Sequence, residues 1–219
     1  MWDWNFAARV LPDILEGLGV TFLAVAGGMT LAIVLGLVWA IMRRSSARFV
    51  SWPAYGFVEF IRSTPLLVQL FFVYYSLAEL TGGWLSPLGT GIFVLGVHYS
   101  CYTAEVYRAG LNGVPRGQWI AAKALNLTPW QTYRHVVLPQ AIPPILPALG
   151  NYLIAMFKDA PLLSAITVLD VLERAKIVGS QSFRYQEPLT IVGVIFLTLS
   201  ILSGAGVAWL QRRVAAAQS

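Results

Sequence analysis

The sequence predicts an all-α integral membrane protein with about five transmembrane helices. The 219 residues are 57% hydrophobic and only 11% charged, which is more apolar surface than a soluble body of this size can bury. Residues 20–42 and 188–210 are two uncharged runs of 23 residues each. A helix of that length crosses the roughly 30 Å of hydrocarbon in a bilayer. Since no linker or repeat divides the chain, we expect one membrane domain over residues 1–219.

The predicted spans cover about residues 18–42, 63–80, 88–108, 141–160 and 187–210. In the first span, small residues recur every four positions and form one stripe, on which either a partner subunit or another helix of this chain can pack closely: Gly28, Ala32, Gly36 and Ala40. The second span begins at Thr64-Pro65, with Thr64 predicted to cap the helix and Pro65 to be its first residue. Gln69 either supports this structure or faces a polar pathway.

The third span is unusually polar near its end. Six polar residues lie between His98 and Glu105, more than a helix facing lipid tolerates. Some of them are therefore expected to face a cavity or a partner. A lone histidine in a membrane is more often a hydrogen-bonded core residue than a proton relay, and the spacing of the other residues predicts no metal site.

The fourth span is predicted to be a broken helix. Pro143, Pro144 and Pro147 predict that its first turns are not ordinary helix, with Asn151 buried after them. Lys158-Asp159-Ala160-Pro161 then interrupts the apolar run. Irregular backbone at membrane depth often marks a solute path. Lys158 and Asp159 either meet the two charges of a zwitterionic solute or neutralise each other.

A polar segment, residues 111–139, separates the third and fourth spans. From Gly117 onward its composition predicts two short helices. Asn126 is expected to end the first in the left-handed conformation. Thr128, Pro129 and Gln131 form a capping box for the second, which Leu138-Pro139 is expected to end.

The basic residues predict the orientation of the chain. Ten of them lie between spans one and two, in the central segment, or after span five, whereas the other side carries Arg9, Arg174, Lys176 and Arg184. The positive-inside rule places the central segment and the C-terminus in the cytoplasm and the N-terminus outside. This distribution accounts for the net charge of +5, so no nucleic-acid partner is predicted.

The central segment resembles the coupling loop of ABC importer permeases, whose pattern is Glu-Ala-Ala, three residues, Gly, nine residues, Ile, one residue, Leu-Pro. The spacing is kept here, with two substitutions: Ile120 stands in the Glu place and Asn126 in the Gly place. The matching positions are Ile120, Ala121, Ala122, Asn126, Val136, Leu138 and Pro139, after the opening Gly117. The resemblance implies that this loop docks on an ATPase.

Residues 59–69 resemble the polar amino acid uptake family, which implies the type I ABC importer permease fold. Within that family, residues 98–99, 115–119, 151–158 and 184–188 are similar to the ectoine and hydroxyectoine uptake branch. The resemblance therefore implies an importer for ectoine, a compatible solute, with a polar amino acid as the alternative. The implied substrate path carries Gln69, His98, Asn151, Lys158, Asp159 and Ser164.

The resemblance also implies the partners. They are ABC ATPase subunits that hold ATP and Mg, a second, different but related permease, and a periplasmic binding protein that delivers a small zwitterionic solute. The location implied is the bacterial cytoplasmic (inner) membrane. The chain lacks a GxxxxGK[ST] phosphate loop, so it is not expected to be an enzyme or to hold a cofactor.

Two other classes of protein fit the sequence less well. A stand-alone channel or ion-coupled carrier needs a continuous pore or a relay of ionisable groups, and the few charges within the spans supply neither. An intramembrane enzyme needs a nucleophile and a base at reachable spacing, and of the two histidines only His98 lies in a span.

Overall fold

The computed structural model describes residues 2–77 and 86–216, and its regular elements are all helices. The helices are α1 (Trp4–Leu15), α2 (Gly17–Arg43), α3 (Arg48–Arg62), α4 (Leu66–Phe71), α5 (Pro87–Asn112), α6 (Arg116–Ala124), α7 (Pro129–Thr132), α8 (Leu138–Asp159), α9 (Val171–Ser182) and α10 (Gln186–Ala216). Irregular turns extend three of these helices. The π-helical turn Phe72–Leu77 follows α4, the π-helical turn Tyr133–Val137 follows α7, and the 3₁₀ turn Ala160–Ile166 follows α8.

Two helical runs are long and apolar enough by themselves to cross a membrane, Trp4–Arg43 and Gln186–Arg213. The number of candidate spans rises to four if each of two bent helix pairs crosses the membrane as one span. These pairs are Arg48–Arg62 with Leu66–Leu77, bent by 105°, and Pro129–Ile166 with Val171–Ser182, bent by 47°. The predicted third span is α5, whose 26 residues extend about 39 Å, although glycines and polar side chains make it less apolar. The count of five spans stays a prediction, and the end of the second, at residues 78–80, lies outside the described residues.

The most extensive helix contact among the described residues joins α2 to α5. The stripe of small residues in α2 is buried against this chain's own bundle: a Cβ added to Gly36 would lie 2.0 Å from Thr103 Oγ1. Thr103 Oγ1 itself donates a 2.8 Å hydrogen bond to the Ala32 carbonyl. Of the two partners that the sequence left open for the stripe, a partner subunit or another helix of this chain, the structure shows the second. The small residues let α5 approach the α2 backbone.

The main apolar core lies where α2, α4, α5 and the end of α8 meet. Leu70, Leu95, Met156 and Leu163 are fully buried there. A second cluster packs α1 against α9 and α10 through Ile14, among others. α9 was not predicted as a helix; Asp170 caps it by accepting a 2.8 Å hydrogen bond from the Glu173 N–H.

The predicted start of the second span is wrong by one residue. Pro65 is the N-cap, with extended backbone angles (φ −64°, ψ 136°), and Leu66 is the first helical residue. The Thr64 hydroxyl does not cap α4 but donates backwards to the Phe60 carbonyl, at 3.0 Å. This hydrogen bond belongs to the C-terminal end of α3, after which the chain bends by 105° into α4.

The predicted irregular start of the fourth span is also wrong. α8 runs as one α-helix from Leu138 to Asp159 with Pro143, Pro144 and Pro147 inside it. A proline removes one backbone donor, and a transmembrane helix tolerates this where neighbouring groups and small local adjustments satisfy the freed carbonyl. The predicted break does occur near Pro161, where the helix tightens into the 3₁₀ turn Ala160–Ile166.

Candidate functional site

A polar cluster lies inside the bundle where α5 meets the end of α8. The Tyr99 hydroxyl donates a 2.7 Å hydrogen bond to Asp159 Oδ2. Asp159 is the last residue of α8, directly before the 3₁₀ turn. The break in the helix therefore brings a carboxylate to the side of α5.

Tyr99 belongs to a group of three neighbouring tyrosine rings. The centroid of Tyr102 lies 6.1 Å from that of Tyr99 and 5.6 Å from that of Tyr152. The guanidinium of Arg62 lies over the Tyr102 ring, 5.3 Å from its centroid. The faces of aromatic rings attract cations, so a group of three rings with one hydroxyl bonded to a carboxylate favours a positively charged group.

His98 connects this cluster to the corner between α3 and α4. Its Nδ1 lies 3.0 Å from Gln69 Oε1, and its ring lies 5.5 Å from that of Tyr99. Gln69 Nε2 donates to the Ile61 carbonyl at 2.8 Å and to Thr64 Oγ1 at 2.7 Å. Gln69 thus holds the α3–α4 corner closed and orients the histidine.

Not all the predicted path residues come together. Gln69, His98 and Asp159 join the cluster, whereas Asn151 and Lys158 are exposed. The prediction that Asn151 is buried is therefore wrong, since α8 turns that side away from the bundle. Lys158 forms no ion pair with Asp159 within the described parts of the chain. Ser164 is buried in the 3₁₀ turn.

None of the three tyrosines of the cluster, Tyr99, Tyr102 and Tyr152, was among the predicted path residues, although Tyr99 and Tyr102 lie in the polar run of the third span that was expected to face a cavity or a partner. Tyr99 and Tyr102 are three residues apart and so share one face of α5, which was a usable signal. Tyr152 had no comparable signal, because its position depends on how α8 packs against α5.

The central segment forms a separate exposed surface on α6, α7 and the start of α8. Asn126 adopts the left-handed conformation (φ 54°) between α6 and α7, and the capping box at Thr128 is present, as predicted. Leu138-Pro139 does not end a helix, because the π-helical turn continues into α8.

This surface is apolar and basic. Ile120, Leu125 and Trp130 are 68%, 73% and 69% exposed. Of the predicted docking residues, Gly117, Ala121, Asn126, Leu138 and Pro139 are also exposed, whereas Ala122 is buried and Val136 is half-buried. Residues 111–139 contain three arginines or lysines and no acidic residue. We name these exposed side chains the coupling surface, after the loop that the sequence resembles.

Comparison with known proteins identifies the family of the chain. The protein-family model described as "Binding-protein-dependent transport system inner membrane component" matches residues 32–216. The chain is 49% identical over 210 residues to the probable amino-acid ABC transporter permease protein y4tG of Sinorhizobium fredii, covering 93% of this chain and 90% of that one. It is 33% identical over 200 residues to the arginine transport system permease protein ArtQ of Bacillus subtilis, covering 91% of each.

A solved structure agrees in fold. The crystal structure of an amino acid ABC transporter with histidines contains a chain that is 33% identical, with a TM-score of 0.91 over 97% of this chain and 99% of that chain. The matches extend over most of the chain, from the first long helix to the last. The chain therefore belongs to the family of binding-protein-dependent transport system inner membrane components, as a type I ABC importer permease of the amino acid transporter group.

Proposed function

We propose that this chain is the membrane subunit of an ATP-driven importer for a polar amino acid. The observation that carries the proposal is the hydrogen bond between Asp159 and Tyr99, whose ring belongs to a group of three tyrosines; such a site is suited to the amino group of a zwitterionic solute. The names of the relatives support an amino acid, since they describe amino-acid and arginine transport. A permease subunit of this family is not itself an enzyme.

The carboxylate of the solute has a candidate partner in Arg62, which lies against Tyr102, whereas Asp159 bonds Tyr99. The guanidinium of Arg62 packs on Tyr102, and its Nε is buried without a hydrogen-bond partner within residues 2–77 and 86–216. A buried donor of this kind calls for a partner. In the proposal, the amino group binds near Asp159 and the carboxylate turns towards Arg62. Lys158 is exposed in the single chain and is not needed for this arrangement.

The coupling surface is proposed to bind the ATPase, which holds ATP and Mg. A periplasmic binding protein delivers the solute, and a second, related permease completes the path. The orientation follows from the basic residues, with the coupling surface and the C-terminus in the cytoplasm of a bacterium. Ile120 in the Glu place means that the contact with the ATPase is apolar at that point.

Ectoine is the second candidate solute. Residues 98–99, 115–119, 151–158 and 184–188 are similar to the ectoine branch of the family, and ectoine is also a small zwitterion. The named relatives favour an amino acid, so we place ectoine second.

ATP hydrolysis by the complete importer in lipid vesicles tests the proposal. The permease is reconstituted with its ATPase and binding protein, and arginine, glutamate and ectoine are added in turn. Stimulation by an amino acid is expected. Stimulation by ectoine alone would show that ectoine, and not an amino acid, is the substrate. No stimulation by arginine or glutamate, with intact assembly, would contradict the proposal for these two amino acids.

The site itself is tested with Asp159→Asn. Loss of a charge-assisted hydrogen bond to the solute weakens binding by about tenfold to a hundredfold, so the apparent affinity for solute should fall by that factor. Asp13→Asn makes the same chemical change at an exposed position near the end of α1 and serves as the control. Equal affinities in the two variants would remove Asp159 from the solute site.

A further inference from the structure

A cavity of about 590 Å³ lies between α2, α3 and α5, apart from the cluster at Asp159. Its lining consists of Arg43, Ser51, Trp52, Tyr55 and Arg108. Each of these side chains carries at least one N–H or O–H group, and none carries a carboxylate. The lining is therefore that of an anion site.

The two arginines keep donors available for a ligand. Arg43 contacts Glu105 and lies over the Tyr55 ring, 5.0 Å from its centroid. Arg108 donates two hydrogen bonds to Glu105 Oε2, at 3.1 and 2.7 Å. Since a guanidinium has five N–H groups, each arginine has N–H groups beyond those bonded to Glu105.

The surrounding charges leave an excess of positive charge. Three arginines, Arg43, Arg62 and Arg108, share the two carboxylates of Glu59 and Glu105. The cluster therefore carries a net charge of +1 within these five residues, because three positive charges meet two negative ones. An anion in the cavity would balance it.

The position along the helices corresponds to the membrane surface. The uncharged run of α2 ends at Arg43. On the neighbouring α3, Phe49 and Trp52 are 83% and 73% exposed, and exposed aromatic side chains with basic neighbours are typical of a helix that lies in the headgroup region. The cavity is therefore at the depth of lipid phosphates.

We propose that this cavity binds the phosphate of an anionic phospholipid, such as phosphatidylglycerol. The two guanidiniums hydrogen-bond the phosphate oxygens, for which their forked geometry is suited. The quaternary ammonium of phosphatidylcholine would face the same arginines and be repelled. The cavity is lined by Arg43 and Arg108 and not by Arg62, to which the solute carboxylate was assigned, so the lipid site is separate from the solute site and goes beyond the proposed function.

Native mass spectrometry of the purified full-length chain in detergent tests the proposal. Phosphatidylglycerol, phosphatidylcholine with the same acyl chains, and inorganic phosphate are titrated separately. Both lipids carry the same phosphate, but only phosphatidylglycerol has a net negative charge to balance the cluster, so it is expected to bind about tenfold or more tightly than phosphatidylcholine. Equal binding of the two lipids would overturn the proposal, as would inorganic phosphate displacing phosphatidylglycerol.

Two variants test the cavity in different ways. Arg108→Gln removes one guanidinium and leaves Glu105 paired with Arg43, whereas Ser51→Trp fills the cavity without changing the charge. Both should weaken phosphatidylglycerol binding by about tenfold. Arg44→Gln is the matched control, because Arg44 bonds Asn112 and lies outside the lining. If Arg44→Gln weakens binding as much as Arg108→Gln, the attraction comes from general surface charge and the site is refuted.

Discussion

Replacing Gly36 by alanine should loosen the contact between α2 and α5. A Cβ at this position would lie 2.0 Å from Thr103 Oγ1 and 2.9 Å from the Ser100 carbonyl oxygen. The second contact is with backbone, which a side-chain rotation cannot relieve. The two helices must therefore separate locally, and the hydrogen bond from Thr103 to Ala32 is strained.

The size of the effect follows from two opposing contributions. Alanine favours a helix over glycine by about 1 kcal/mol, whereas inserting atoms into a packed contact costs about 1–3 kcal/mol. Gly19 lies in the same helix with nothing within 4 Å of an added Cβ, so Gly19→Ala keeps only the favourable part. The two variants should differ by about 1–3 kcal/mol, or roughly 2–12 °C in melting temperature.

The assay is thermal unfolding of each purified variant in the same detergent. Thr103→Ala removes the nearest clashing atom, so Gly36→Ala should cost less in that background. Equal melting temperatures for Gly36→Ala and Gly19→Ala would refute the reasoning, because they would show that α5 does not approach α2 as closely as described.

Three further predictions concern other parts of the chain. The backbone N–H of Phe6 and then the Arg184 guanidinium lower the pKa of Asp3, so its charged form stabilises the fold at pH 7 and this contribution is lost as the pH falls through the lowered pKa. Asp3→Asn should therefore melt below the unsubstituted chain at pH 7, and the gap should close below about pH 4; a gap that persists at low pH would contradict this. Thr128→Ala removes the capping box and should cost the α7 turn about 1 kcal/mol, seen as faster amide hydrogen exchange over residues 129–133, whereas unchanged exchange would show that the cap is dispensable. Tyr99→Phe keeps the ring but loses the hydrogen bond to Asp159, and should weaken the response of ATP hydrolysis to solute by about tenfold. Tyr107→Phe, whose hydroxyl donates to the Ile33 carbonyl instead, is the control, and equal effects would show that the Asp159 contact is not specific.

Features set by a few neighbouring residues could be predicted from the sequence. The capping box at Thr128 and the left-handed Asn126 depend on local backbone chemistry, and both are present. The stripe in α2 was also predictable, because four-residue spacing places small residues on one helix face. Its partner was not, since the identity of the neighbouring helix depends on the whole fold.

Features that depend on packing were predicted less well. Proline chemistry alone suggested that Pro143, Pro144 and Pro147 would disrupt the start of α8, yet the helix continues through them. Asn151 was expected inside because it lies in an apolar run, but its side of α8 is exposed. α9 escaped prediction because its polar side chains resemble those of a connecting loop.

The continuity of α8 has a consequence for movement within the protein. The helix extends 22 residues, about 33 Å, from the edge of the coupling surface to Asp159. A rotation of Leu138 about the helix axis would therefore be transmitted along a continuous helix to the carboxylate and turn it away from the Tyr99 hydroxyl. The three prolines weaken the backbone hydrogen bonding near the coupling surface, so bending would concentrate there and the half of the helix that carries Asp159 would turn as a rigid rod.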